Sequence, residues 1–268
     1  RFAVGWFVGV LFPFLVLTFL MRGTPQHPFG QLNPAAYPPM ALAAGVLMLA
    51  GGLATTLMTA REIPYLRRHL TAPPRPGPAV VVREAMQALG NDQFALIFTI
   101  VLISAAISGT GANIGALMVT FFWRLTSEDL RWFGLSAVGA VFAIGSIGWF
   151  QQRFDKKDIL LWCALLNLVD GMVMVSLRLA HILPPNSSPL LLPLLITDVA
   201  LTTYVGVVQG IIGASIVADI LDLHELRTGL RQEGMFNAAL SFSGKAVSGV
   251  GIVLGGLLLK VLAIPPHM

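Results

Sequence analysis

Long apolar runs alternate along this chain with short clusters of proline, glycine and charge. Seven runs exceed the roughly 17 residues a helix needs to cross a bilayer: Phe2–Met21, Pro39–Thr59, Phe94–Phe122, Trp132–Phe150, Ile159–Ile182, Leu190–Ala218 and Gly234–Ala263. The segments between them, GTPQHPFGQLNP, REIPYLRRHLTAPPRPGP, RLTSEDLR, QQRFDKKD and HILPPNSSP, carry the residues that break regular structure. Helices are the expected spanning form, because a barrel would show short alternating segments instead. The pattern predicts an all-α polytopic bundle of about seven transmembrane helices.

Composition supports that reading. The chain is 56% hydrophobic and 11% charged, with a mean hydropathy of +0.79. Ordinary globular domains carry about 25% charged residues, so water alone is not the solvent for this surface. The single cysteine, Cys163, excludes a disulfide framework and a multi-cysteine metal site. The histidines show no ligand spacing, so no metal or organic cofactor is expected. Catalytic signatures such as HExxH and GxSxG are missing, which argues against an enzyme. The net charge of +4 does not call for nucleic acid, since basic residues of membrane proteins gather in cytoplasmic loops.

Charge also sets orientation. Arg1, Arg61, Arg67, Arg68, Arg75, Arg83, Arg153, Lys156, Lys157, Arg227 and Arg231 fall on one side of the expected bilayer, and only Arg22, Arg124 and Arg131 on the other. The first side is therefore expected to be cytoplasmic, in a plasma membrane of the bacterial inner-membrane kind, with the C-terminal end outside. Residues 61–93 read as a cytoplasmic linker, with Val80–Gly90 as a surface helix. It separates residues 1–60, two helices of one bundle, from residues 94–268, five helices of a second. The chain opens on a span at Arg1, has no cleavable leader and holds an odd number of spans, which reads as a piece of a longer protein.

The densest chemistry lies near the last span. Asp219, Asp222, Glu225, Arg227, Arg231 and Glu233 crowd the loop before it, and Lys245 follows twelve residues after Glu233. As a helix, twelve residues rise about 18 Å, which puts Lys245 near the midplane if Glu233 marks the membrane edge. An ionisable group at that depth usually faces a polar cavity. Asn237 and Ser241 precede Lys245 at helical spacing and would share its face. Asn113, Gln209 and Asp170 are further polar positions inside spans and join the cavity candidates. The acids of the loop could pair and part with its bases as a cytoplasmic gate. Arg153, Lys156 and Lys157 form a short basic turn.

The stretch A-D-x-x-D-x-x-E-x-R-T-G-x-R-x-E-G (218–234), followed by Lys245, resembles the helix ten–eleven region of the glycoside–pentoside–hexuronide cation symporters. These are the melibiose-carrier-like branch of the major facilitator superfamily. LGNDQFALIF (89–98) is similar to the start of helix seven in that family, and QRFDKKDILL (152–161) to its basic loop between helices eight and nine. The resemblance implies a partial major facilitator fold running from about helix five to helix eleven. It implies secondary active transport by alternating access: symport of a sugar or related small solute with a coupling cation, Na⁺ or H⁺. Lys245 would line the central cavity, and the expected partners are the solute, the lipid bilayer and the N-terminal helices missing from this chain. Leu223, His224 and the non-aromatic middle of helix ten (Val207–Ile211) depart from the family pattern. A transporter-like protein that binds or senses a solute without coupled transport is the alternative. A seven-helix retinal protein is disfavoured, because Ser241 stands where its aspartate would be.

Overall fold

The computed structural model describes residues 2–60, 92–228 and 233–261, together with Glu62, Pro64, Arg83, Met86 and Gly90. Most of the expected linker, including nearly all of Val80–Gly90, lies outside the described residues. The described residues are mostly helical and contain no strand. Six helices among them are long and apolar enough to cross a membrane: Pro34–Ala60, Phe98–Phe122, Ser127–Arg153, Lys156–Leu179, Leu191–Leu223 and Leu240–Leu258. The first of the seven expected spans is helical as well, but its apolar part counts as the shorter stretch Val8–Leu20.

Local sequence explains the breaks. Helix α1 (Phe2–Leu15) contains Pro13, which has no N–H to give to the preceding turn. The chain then widens into a π-helical turn, Val16–Leu20, closed by Met21 N–H donating to the Val16 carbonyl at 3.0 Å. The Thr18 hydroxyl donates to the Phe14 carbonyl at 2.7 Å, giving that carbonyl a partner inside the apolar segment. Helix α2 (Tyr37–Ala60) has prolines in its first turn, where no intrahelical N–H is required. None of its residues is buried within the chain. Helix α3 (Asp92–Leu117) also ends in a π-helical turn, Met118–Phe122. Short α4 (Ser127–Leu130) is started by a capping box between Thr126 and Asp129.

Three long helices and a fourth partner follow: α5 (Ala137–Arg153), α6 (Lys156–Leu179), α7 (Leu191–Thr228) and α8 (Glu233–Val261). The chain divides into two compact units. One comprises residues 1–75 and Leu125–Gly134, the other 76–124 and 135–268. In the second unit α3 packs along α8, while α7 packs against both α5 and α6. The core of the α5–α6–α7 group is Ala143, Ile159, Cys163, Val205, Val208 and Ile212. Helix α6 buries only Ile159 and Cys163. Its Leu161, Leu165, Leu168 and Met172 stay exposed, as expected of a lipid-facing helix.

Candidate functional site

Helix α7 runs for 38 residues, about 57 Å at 1.5 Å per residue. That exceeds the roughly 30 Å hydrocarbon thickness. The sequence suggested that the span ends at Ala218 and that the acids beyond it occupy a loop. Instead the helix continues to Thr228, because 218–228 holds no proline or glycine to stop it. Asp219, Asp222, Glu225 and Arg227 therefore stand on helical backbone, the first three at i, i+3 and i+6 along a slowly turning stripe. Glu233 is the first residue of α8. Arg231 lies outside the described residues, as do the side-chain surroundings of Arg227 and Glu233.

The acidic end of α7 meets the basic turn that starts α6. Lys156 Nζ donates to Asp219 Oδ2 at 2.5 Å, with the two side chains 35% and 59% exposed. Two groups of sites that the sequence kept apart thus share one ion pair. Arg153, at the end of α5, lies over the Trp149 ring with its guanidinium carbon 4.3 Å from the centroid, a cation–π contact. Lys157 is exposed.

Polar groups inside the spans fall into two sets. The first sits where α6 meets α7. Asn167 Nδ2 donates to Gln209 Oε1 at 3.1 Å. The Thr202 hydroxyl lies 3.0 Å from Asp170 Oδ2 and 2.8 Å from the Asp198 carbonyl. Gln209 and Asp170, two of the cavity candidates, are thus bonded to partners on the neighbouring helix. Asn167 and Thr202 complete this set, and Thr202 is the one that sequence reasoning missed. The clue for Thr202 was its place four residues after Asp198, one turn along the same face.

The second set lies on α8. Lys245, Ser241 and Asn237 are exposed within the chain, and the Ser248 hydroxyl donates to the Lys245 carbonyl at 2.9 Å. Helix α3 reaches α8 through glycines. A Cβ at Gly109 would collide with the Ser248 carbonyl, and one at Gly251 with the Ala106 carbonyl. The Thr110 hydroxyl reaches the Gly251 carbonyl at 2.9 Å, a bond from one helix to the backbone of the other. At 3.6 residues per turn, Lys245 is rotated about 120° from Gly251, so its amino group leaves from the flank of the contact. Asn113 lies on α3, and its side chain falls outside the described residues.

Helices built in this way, with an ionisable residue beside a small-residue contact and a charged end projecting past the bilayer, point to a membrane transporter. A family model described as MFS/sugar transport protein matches residues 1–266. The chain belongs to that family. Searches of curated proteins and of solved structures returned no match. As an MFS/sugar transport protein it is an integral membrane transporter of sugar-like solutes, with an all-α helical architecture.

Proposed function

We propose that this protein is a cation-coupled symporter of the melibiose-carrier-like branch, moving a sugar or related glycoside together with Na⁺ or H⁺ by alternating access. The observation that carries the reading is Lys245, an exposed ammonium on an apolar span. It stands beside Ser241 and Asn237, on the flank of the glycine contact between α3 and α8. A charge within a bilayer persists only where water, a solute or a counter-charge meets it. Lys245 is accordingly the residue that feels the charge of cation and substrate in the central cavity.

The Lys156–Asp219 pair serves the cytoplasmic gate in this scheme. It ties the basic turn to the projecting end of α7, and Asp222 and Glu225 lie further along that end. Exposed ion pairs contribute only about 0–1 kcal/mol. A gate that must open in every cycle is served by contacts of that size. The linker and the basic turn are placed in the cytoplasm and the end of α8 outside, following the bias of the basic residues.

The test is solute accumulation in vesicles driven by a Na⁺ or H⁺ gradient, with and without Lys245→Ala. The substitution is expected to abolish coupled accumulation while leaving the amount of folded protein unchanged. Accumulation at the parent level with Lys245→Ala would sink the assignment.

A further inference from the structure

Two connections that are distant in sequence meet inside the first unit. Gln31, between α1 and α2, donates through Nε2 to the Leu125 carbonyl at 2.9 Å and accepts through Oε1 from the Ser127 hydroxyl at 2.9 Å. These partners lie 94 and 96 residues further along the chain, beyond the linker. Ser127 is completely buried and Leu125 is 5% exposed. The joint is shaped as well as bonded. A Cβ at Gly30 would run into the Met21 carbonyl and Ser127 Oγ, so only glycine lets the first connection approach the second.

Each side of the joint is also braced locally. Tyr37 Oη donates to the Gln31 carbonyl at 2.7 Å, and the Asn33 side chain accepts from Ala35 N–H at 3.1 Å. On the other side, Asp129 Oδ2 accepts from Thr126 N–H at 2.9 Å and from its hydroxyl at 2.7 Å. Trp132 meets Phe14 edge-on, with centroids 6.2 Å apart. Gln31 is thus the polar link between two loops, each held rigid by its own bonds.

We propose that Gln31 and Ser127 are gating residues, a latch that closes the membrane side opposite the linker and the basic turn. This rests on the transporter reading above. By the alternation of spans, both connections lie on the side away from the α5–α6 turn. One precedes the linker and the other follows it, so by the sequence division they come from the two bundles that alternating access must separate; the single compact unit that holds them both is then the latch in its closed form. The joint is small, polar and buried at a boundary where water can replace both hydrogen bonds. It can therefore open and reform without stranding a polar group.

The experiment uses the protein in native membranes, in a Cys163→Ala background, with Ser127→Cys as a reporter for a membrane-impermeant maleimide. The reporter thiol is only a weak donor to Gln31 Oε1, so Gln31→Ala, which removes the remaining bond to the Leu125 carbonyl, should speed labelling about fivefold, and the milder Gln31→Asn less. Gly30→Ala should act in the same direction by pushing the loops apart. Joining Gln31→Cys to Ser127→Cys with a short reducible dithiol linker should lower solute uptake about tenfold, with recovery on reduction. Equal labelling rates with and without the Gln31 side chain, or undiminished uptake after cross-linking, would overturn the latch. The arms separate this proposal from the one it rests on. If no solute is accumulated under any gradient while labelling still follows Gln31, the symport reading fails and the latch stands.

Discussion

The α3–α8 pair and the α5–α6–α7 group hold themselves together by opposite means. In the first, glycine brings backbone against backbone, at Gly109 with Ser248 and at Gly251 with Ala106, and one threonine hydroxyl crosses between helices. In the second, one glycine contact, Gly139 with Ala200, accompanies an aliphatic core and three polar side-chain pairings: Asn167–Gln209, Thr202–Asp170 and Ser146–Tyr204. Lipid offers no hydrophobic reward for bringing helices together, so close packing and polar bonds must do it. Where glycines do it, the polar side chains are left for other work. That is the situation of Lys245 and Ser241 on α8. Where polar side chains do it, they are occupied by one another.

The largest effect should come from breaking the glycine contact. Gly251→Val would place a side chain where the Ala106 carbonyl now lies, and Gly109→Val would do the same at Ser248. Overpacking a core costs about 1–3 kcal/mol even when neighbours can shift, and backbone cannot shift as side chains do. Loss of most monodisperse protein in detergent size-exclusion chromatography is expected. Gly249→Ala and Gly256→Ala, on the same helix but with open space beside them, should leave the elution profile and melting temperature nearly unchanged. Equal damage at all four positions would show that the α3 contact is not what makes glycine necessary at 109 and 251, since alanine is the better helix former.

Much of this was legible in the sequence and the remainder was not, for physical reasons. The spans were readable because hydropathy reports the lipid directly. Which helix faces which was hidden. Leucines such as Leu161 and Leu168 on the lipid face of α6 look no different from the buried Leu191 and Leu195. Gly111 and Gly115 shared the motif of Gly109, yet have open space beside them. The end of α7 was misplaced because charge marks where the membrane stops, not where the helix stops. The pairing of Gln31 with Ser127 joins residues too far apart for any local pattern to show.

A moderate effect is expected on the polar side of the comparison. Asn167→Leu leaves the Gln209 amide without its partner, at a cost of about 0.6–2 kcal/mol by analogy with other interhelical bonds in membranes. Replacing both residues with leucine should recover part of the loss, because neither polar group is then stranded. A double-mutant cycle in thermal stability measures the coupling, and solute uptake should survive in each folded variant. Uptake lost in the double variant at normal stability would move Gln209 from structure to the cavity and blur the contrast between the two regions.

The smallest effect should fall at the end of α7, where neither device operates. Lys156 and Asp219 are bonded at 2.5 Å, but with Asp219 59% exposed, water competes for both charges. Lys156→Ala or Asp219→Asn should alter stability by no more than about 1 kcal/mol, and less as salt is raised. The consequence of interest is kinetic. On the proposed gating role, loss of the pair should change the rate of solute exchange more than it changes stability. The exchanged pair, Lys156→Asp with Asp219→Lys, restores the attraction with reversed polarity and should recover the exchange rate if Coulomb attraction between these two residues is all that matters. Failure to recover, with stability normal, would mean that Asp219 also meets bases elsewhere at that end of the helices. The acidic stripe of α7 would then act as a unit with Asp222 and Glu225, and not through one pair.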